Sequence, residues 1–141
     1  MQYQELLEQF KSNGKKLTKV RKNVLKLLFD TEHPISAPEL LERLSSNKIT
    51  INKTTLYREL TFLLEQNVIT EVTLNTQVQH YELKHLDHHH HLVCSDCGDI
   101  SKIEADEIEK SIKKLESTVK RNGFFIQNHQ LEFFGVCSKC H

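Results

Sequence analysis

The sequence predicts an α+β fold: an N-terminal winged helix-turn-helix unit over residues 1–83, then a small α+β unit over residues 84–141. Three observations predict it. Apolar residues recur at helical spacing through the first half and then give way to two short β-rich runs. The composition changes abruptly at Lys84-His85-Leu86-Asp87-His88-His89-His90-His91. All four cysteines lie beyond that run, as Cys94-x-x-Cys97 and Cys137-x-x-Cys140; they are a staple for a unit too small to be held by apolar burial alone.

Taken in order, Leu6, Leu7 and Phe10 lie at helical spacing and Gly14 supplies a left-handed stop, so a first helix ends near Asn13. Thr18 caps a second helix, with Val20, Val24, Leu27 and Leu28 along one face and basic residues on the other. Ser36-Ala37-Pro38-Glu39 reads as a capping box, with Glu39 reaching back and Pro38 tolerated in the first turn, and opens a third helix to about Leu44. Asn52 caps a fourth helix whose stripe is Leu56, Leu60, Leu63 and Leu64, leaving Lys53, Thr54, Tyr57 and Arg58 outward near its start. Runs 68–73 and 78–83 read as strands joined through the polar tip Leu74-Asn75-Thr76-Gln77. Helices followed by such a hairpin make a winged helix, and the fourth helix is its candidate recognition helix.

The second unit reads as a strand around Leu92 and Val93, a cysteine knuckle and a strand over 100–103. A helix follows with Ile108, Ile112, Leu115 and Val119 turned inward and a stop at Asn122-Gly123. Strands over 124–127 and 131–136 and a second knuckle complete it, in the order β-β-α-β-β.

The net charge is zero, but its distribution is uneven. From Lys11 through Phe29 the chain carries Lys11, Lys15, Lys16, Lys19, Arg21, Lys22 and Lys26 and no acid, a pattern suited to phosphate. The C-terminal half is rich in histidine and slightly acidic, a pattern suited to cations. No apolar run reaches the roughly 18 residues of a membrane span, and Met1 is followed by an acidic, polar stretch rather than a signal segment. The expectation is a soluble, cytoplasmic protein. In that reducing compartment paired cysteines hold metal rather than form disulfides.

Four thiolates in two Cys-x-x-Cys pairs, with 39 residues between the pairs, form a tetrahedral zinc site if the chain between them folds back. Gly98 suits the tight turn after Cys97. Such a closed set has no position open to water, so its role is structural. The alternatives are four reduced cysteines acting as small apolar fillers, or a redox pair; the latter needs a Cys-x-x-Cys at a helix N-terminus, whereas strand-like runs precede both pairs.

In the extended run His88-His89-His90-His91, side chains alternate, so His89 and His91 face one way and His88 and His90 the other. Glu82 sits on the preceding strand, and a carboxylate with two or three imidazoles suits iron(II), manganese(II), zinc or cobalt. Taken alone, the run reads equally as a solvated polar linker. His129 reads either as a ligand or as an ordinary strand residue.

Thr18-x-x-Arg21, Thr55-Leu56-Tyr57-Arg58, the block from His88 to Cys97 ending His-Leu-Val-Cys-x-x-Cys-Gly, and Asn128-His129 follow one another along the chain. With these motifs the whole chain resembles the ferric uptake regulator superfamily. The resemblance implies a homodimer that binds a double-stranded DNA operator when a sensor metal is loaded, usually as a repressor of metal-uptake or oxidative-defence genes. It implies that Tyr57 and Arg58 enter the major groove and that Lys16 lies near the minor groove. By residue type and place, Lys15, Lys19 and Arg21 of the basic segment and Lys53 and Thr55 at the start of the fourth helix complete the candidate DNA-contact set. The resemblance further implies a sensor site of Glu82, His89 and His91, and a second site of His88, His90, Glu109 and His129.

The chain departs from the family pattern at two places. Pro34 stands where many members have an interdomain histidine, and His33, a candidate ligand, stands one place earlier. Lys102 replaces an expected acidic ligand, with Glu104 nearby. The peroxide-sensing members have Asp in place of Glu82 and the zinc-sensing members often have a cysteine near Lys84. Iron(II) is therefore the favoured regulatory metal, with zinc or manganese(II) as alternatives; the segments Ile35-Ser36-Ala37 and Phe62-Leu63-Leu64-Glu65-Gln66 resemble zinc-uptake regulators. An enzyme would place an open metal centre at Glu82 and the histidines, but no nucleophile or phosphate-binding glycine loop accompanies it. A metal-storage or chaperone protein would account for the histidines but not for the basic helix or for Tyr57-Arg58.

Overall fold

In the computed structural model, which describes residues 3–74, 77–84 and 89–141, the chain is α+β and divides into two compact units, Met1–Leu86 and Asp87–His141. The first holds α1 (Tyr3–Ser12), α2 (Lys19–Asp30), β1 (Ile35–Ser36), α3 (Ala37–Ser46), α4 (Lys53–Glu65), β2 (Ile69–Val72) and β3 (His80–Leu83). The second holds β4 (His90–Cys94), β5 (Ile100–Ile103), α5 (Asp106–Arg121) and β6 (Glu132–Gly135). No helix among the described residues is long and apolar enough to cross a membrane.

Local hydrogen bonds set where the helices of the first unit begin. The Thr18 hydroxyl accepts from the Arg21 amide at 3.1 Å, Ser36 from Glu39 at 3.4 Å, and Asn52 Oδ1 from Thr55 at 2.7 Å, each satisfying an amide that the first turn leaves without a helical partner. Gly14 ends the first helical segment with φ +69°, a conformation that costs glycine little. Removing the α4 cap by Asn52→Ala should cost about 1 kcal/mol, read as a lower urea midpoint with an unchanged slope. The capping box at α3 is only half formed: the Glu39 carboxylate does not reach back to its cap but accepts from Arg43 Nη2 at 2.6 Å, since a cation one turn on is the stronger partner.

The helical stripes close on one core. Leu6 and Phe10 of α1, Val24, Leu25 and Leu28 of α2, Leu40 and Leu44 of α3, and Leu56, Leu60 and Leu63 of α4 are all buried. In α2 the inward face is rotated from expectation, with Leu25 buried and Val20 and Leu27 only half-buried. The wing has three strands, ordered β1-β3-β2 and antiparallel, with Ile35 opposite Tyr81 and Ile69 opposite Leu83. Tyr81 and Leu83 face the core, while His80 and Glu82 alternate with them and are half-buried. The two-residue β1 is too short to carry a periodic signal. Asn75 and Thr76, at the expected hairpin tip, lie outside the described residues.

In the second unit β4 is central, antiparallel to β5 and parallel to β6. A parallel neighbour needs a crossover, and β5 with α5 provides it. Two expectations are corrected here. Residues 124–127 form no strand, and Phe124 and Phe125 are 65% and 67% exposed; β-rich composition marks a segment that fits a pleated surface without supplying a neighbour to pair with. The apolar stripe of α5 is turned inward only in part: Ile112 and Val119 are half-buried, but the helix buries no residue fully, and Ile108 and Leu115 are 37% and 56% exposed. A sheet of three strands, each four or five residues long, is too small to cover a four-turn helix face.

Candidate metal centres and nucleic-acid surface

The β4–β6 pairing sets Cys94 beside Gly135, so the turns that leave the two strands lie next to each other. Each turn carries a knuckle. Ser95 donates its amide to the Gly135 carbonyl at 2.7 Å, Gly98 donates back to Cys94 at 2.9 Å, and Cys140 donates to Cys137 at 3.0 Å. Gly98 has φ +73°, which is what the tight first knuckle requires of it. Ligand atoms of Cys94, Cys97, Cys137 and Cys140 all fall within 4.8 Å of one another.

The Cys97 and Cys137 sulfurs are 3.7 Å apart, against about 2.05 Å for a disulfide. A tetrahedron with zinc–sulfur bonds of about 2.3 Å has edges of about 3.8 Å. Backbone amides of Cys97 and Cys137 hold the Cys94 thiol down to about 6, while the neighbouring sulfurs push Cys140 up to about 12. Four thiols so close cannot all ionise by themselves, and a divalent cation in their midst removes that conflict. The donor set and its spacing fit zinc.

A second cluster forms on the same strand. His90 is 2% exposed, and its Nε2 lies 2.7 Å from Glu109 Oε1, which is also 3.1 Å from His129 Nε2. Glu109 sits one turn inside α5, at the end nearest β4's first residues, so the sheet's parallel crossover brings helix, strand and the segment before β6 together. Their ligand atoms lie within 4.8 Å of one another, a mixed nitrogen and oxygen set for a borderline divalent metal. His129 therefore belongs to a cluster rather than to an ordinary strand, and His88 lies outside the described residues. One neighbour was missed in the sequence: Glu116 stands 3.8 Å from His129 Nδ1, and its position two turns beyond Glu109 on one helix was the available signal.

The remaining ligand candidates divide between the units. His89 and His91 share the other face of their strand, with rings 4.9 Å apart and edge-to-face. His91 is 4% exposed and lies directly opposite Lys102 in the β4–β5 register. Glu82 lies on β3 opposite Thr70. His33 stands 3.9 Å from Glu39 and joins none of the three-residue ligand groups found among the described residues.

On the first unit Lys53, Tyr57 and Arg58 are exposed at the start of α4, and Thr55 is half-buried. Lys53, Thr54, Tyr57, Arg58 and Thr61 line a shallow groove of about 510 Å³. Lys16 and Lys19 are exposed and Lys15 half-buried. Arg21 is the exception among the basic candidates. It is 9% exposed and its guanidinium forms a fork with Glu59 at 2.8 and 3.1 Å, so it is not available to phosphate. Its place on the helix, one turn before the buried Val24 and Leu25, turns it inward.

Comparison with known proteins agrees with both halves of this arrangement. The model of the Ferric uptake regulator family matches residues 12–134. The ferric uptake regulation protein of Campylobacter jejuni is 30% identical over 147 aligned positions, covering 100% of this chain and 92% of the relative. The solved ferric uptake regulator of Helicobacter pylori, described as having three functional metal binding sites, superposes with TM-score 0.82 and 26% identity over 99% of this chain and 94% of that one. A zinc uptake regulator solved with zinc and DNA gives TM-score 0.64 and 29% identity over 99% and 95%. With knuckles, histidine clusters and winged unit in one order along the chain, and the family match spanning both units, the protein belongs to the ferric uptake regulator family.

Proposed function

We propose that this chain is a cytoplasmic, metal-responsive repressor that binds an operator in double-stranded DNA as a homodimer, with residues 1–83 as the DNA-binding domain and 84–141 as the dimerisation and metal-binding domain. The observation that carries the reading is an exposed Tyr57–Arg58 pair on a capped helix ahead of a wing, in a chain whose other unit gathers metal ligands of three kinds on and beside one strand. Zinc sits at the four cysteines. Glu82, His89 and His91 bind the regulatory metal, and His90, Glu109 and His129, with His88, bind a further one. The exposed apolar residues Leu115, Phe124, Phe125 and Phe134 support the homodimer, because large apolar side chains left in water on so small a unit are stabilised by a partner surface.

Iron(II) is the favoured regulatory metal, with manganese(II) an alternative, from the carboxylate and imidazole chemistry and from the absence of a cysteine beside Lys84. One observation favours zinc instead. Lys102 occupies the position opposite His91, so β5 contributes a cation where an oxygen ligand would complete a six-coordinate set, and the smaller set that remains suits zinc.

The test is anaerobic DNA binding under titration with iron(II), manganese(II) and zinc, using a duplex selected by the metal-loaded protein from a random pool. The expected result is metal-stimulated, salt-dependent preference for the selected duplex. Arg58→Ala should cost about 1–3 kcal/mol and relax that preference if Arg58 reads a guanine edge. No preference over random DNA with any of the three metals would refute the reading, and equal loss on selected and random duplexes would make Arg58 a phosphate contact only.

A further inference from the structure

The buried Arg21 joins two parts of the DNA-facing unit that the sequence leaves 38 positions apart. Its Nε and Nη2 donate to the two oxygens of Glu59, its Nη1 donates to the Lys16 carbonyl, and its guanidinium carbon lies 3.7 Å from the centre of the Phe62 ring. Glu59 directly follows Arg58 on α4, and the Lys16 carbonyl belongs to the segment between α1 and α2. One planar group therefore fastens the backbone that carries Lys16 to the helix turn that carries Tyr57 and Arg58. Side-chain exposures of 10% and 15% for Arg21 and Glu59 make this a largely buried ion pair. Such a pair adds little stability over well-packed apolar residues, because desolvation offsets the attraction, so its geometric consequence is the more informative one.

We propose that Arg21 is a positioning residue for DNA recognition, holding the Lys16 backbone and the α4 recognition helix in one register so that phosphate contact and base reading occur together. The proposal rests on the DNA-binding reading above. Phosphate contacts fix the orientation in which base contacts are made, so the contribution of Lys16 depends on how rigidly its backbone is tied to α4. Lysine cannot take the place of Arg21, since an ammonium is a point charge and cannot fork across a carboxylate while also reaching a carbonyl.

The experiment compares the selected duplex with a scrambled one of equal length and composition. Its central variant is Arg21→Met with Glu59→Leu, which keeps bulk and removes both buried charges; Arg21→Lys and Glu59→Gln accompany it. The double variant is expected to melt at or near the temperature of the parent and to keep its four-thiolate metal, yet to lose about tenfold or more of its preference for the selected duplex. Lys16→Ala should weaken selected-duplex binding in the parent and have less than half that effect, on a logarithmic scale, in the double variant. Full preference with an unchanged Lys16→Ala penalty would overturn the proposal and leave the pair merely structural. If the double variant melts below the assay temperature, Arg21→Lys provides the same comparison, because it keeps a positive charge beside Glu59 and removes the fork and the tie to the Lys16 carbonyl. A parent protein with no duplex preference, or an Arg58→Ala variant without loss, refutes the DNA reading itself and this proposal with it, and that result is separable because it involves no Arg21 variant.

Discussion

Removing zinc from Cys94, Cys97, Cys137 and Cys140 is expected to unfold the second unit and leave the first folded. The two units are built on unequal apolar resources. The core cluster of buried residues runs from Leu6 to Leu83 and lies wholly in the first unit. In the second, the buried apolar residues among those described are Val93 and Cys94, beside the buried His90 and His91, and α5 buries none. Burial of that extent cannot offset a backbone entropy cost of about 1–2 kcal/mol per residue, so a further source of free energy is required. Structural zinc at four thiolates supplies about 10–16 kcal/mol at neutral pH, and in small sites that binding energy is folding energy. Chelation, or Cys137→Ser, should therefore abolish amide-exchange protection in β4, β5 and β6 while protection in α2, α3 and α4 persists. Zinc-free protein with the strands still protected and four reactive thiols would show that the knuckles are held by packing instead.

His89→Ala is expected to abolish the metal response of DNA binding while leaving zinc at the cysteines, the fold and the dimer intact. On the proposed reading Glu82 comes from the wing and His89 and His91 from the second domain, so a metal held by all three restrains the angle between the domains and hence the spacing of two recognition helices. Metal favours DNA binding only as much as it favours the DNA-competent arrangement, and couplings of this kind are about 1–3 kcal/mol, or roughly 5- to 150-fold in affinity. His89→Ala should bring the ratio of metal-loaded to metal-free affinity close to one. His91→Ala and Glu82→Ala should do likewise. The check is duplex affinity with and without metal, alongside elemental analysis for the retained zinc. If all three variants respond to metal as the parent does, control lies at another site, and His90, Glu109 and His129 become the candidates.

The two metal sites were unequally marked in the sequence. The four cysteines were legible as a metal site because two pairs at turn spacing leave little else for them to do, and the alternation of His89 and His91 against His90 follows from the two-residue period of a strand. Glu109 entered only through the family resemblance: an acid in the first turn of an acidic, exposed helix has no local mark that distinguishes it from Asp106 or Glu107. Its role becomes visible when the fold sets it 2.7 Å from His90. Glu116 is marked only once Glu109 is known, by lying two turns beyond it on the same helix face.

Short-range physics is what a local pattern of residues can carry. Thr18, Ser36 and Asn52 start helices because their side chains bond amides three residues on, and the leucines of α4 turn inward because their spacing matches the helical repeat. The metal-ligand chemistry was likewise set by residue type. The assembled fold alone settles which faces are covered and which distant groups meet. It turned Arg21 from the basic surface onto Glu59, left Ile108 and Leu115 of α5 and Phe124–Phe125 uncovered in the single chain, and joined the two knuckles through the parallel pairing of β4 with β6. The physical reason is that periodicity fixes the direction of a side chain relative to its own helix or strand, whereas what stands opposite depends on contacts between residues far apart in the chain, which no local pattern encodes.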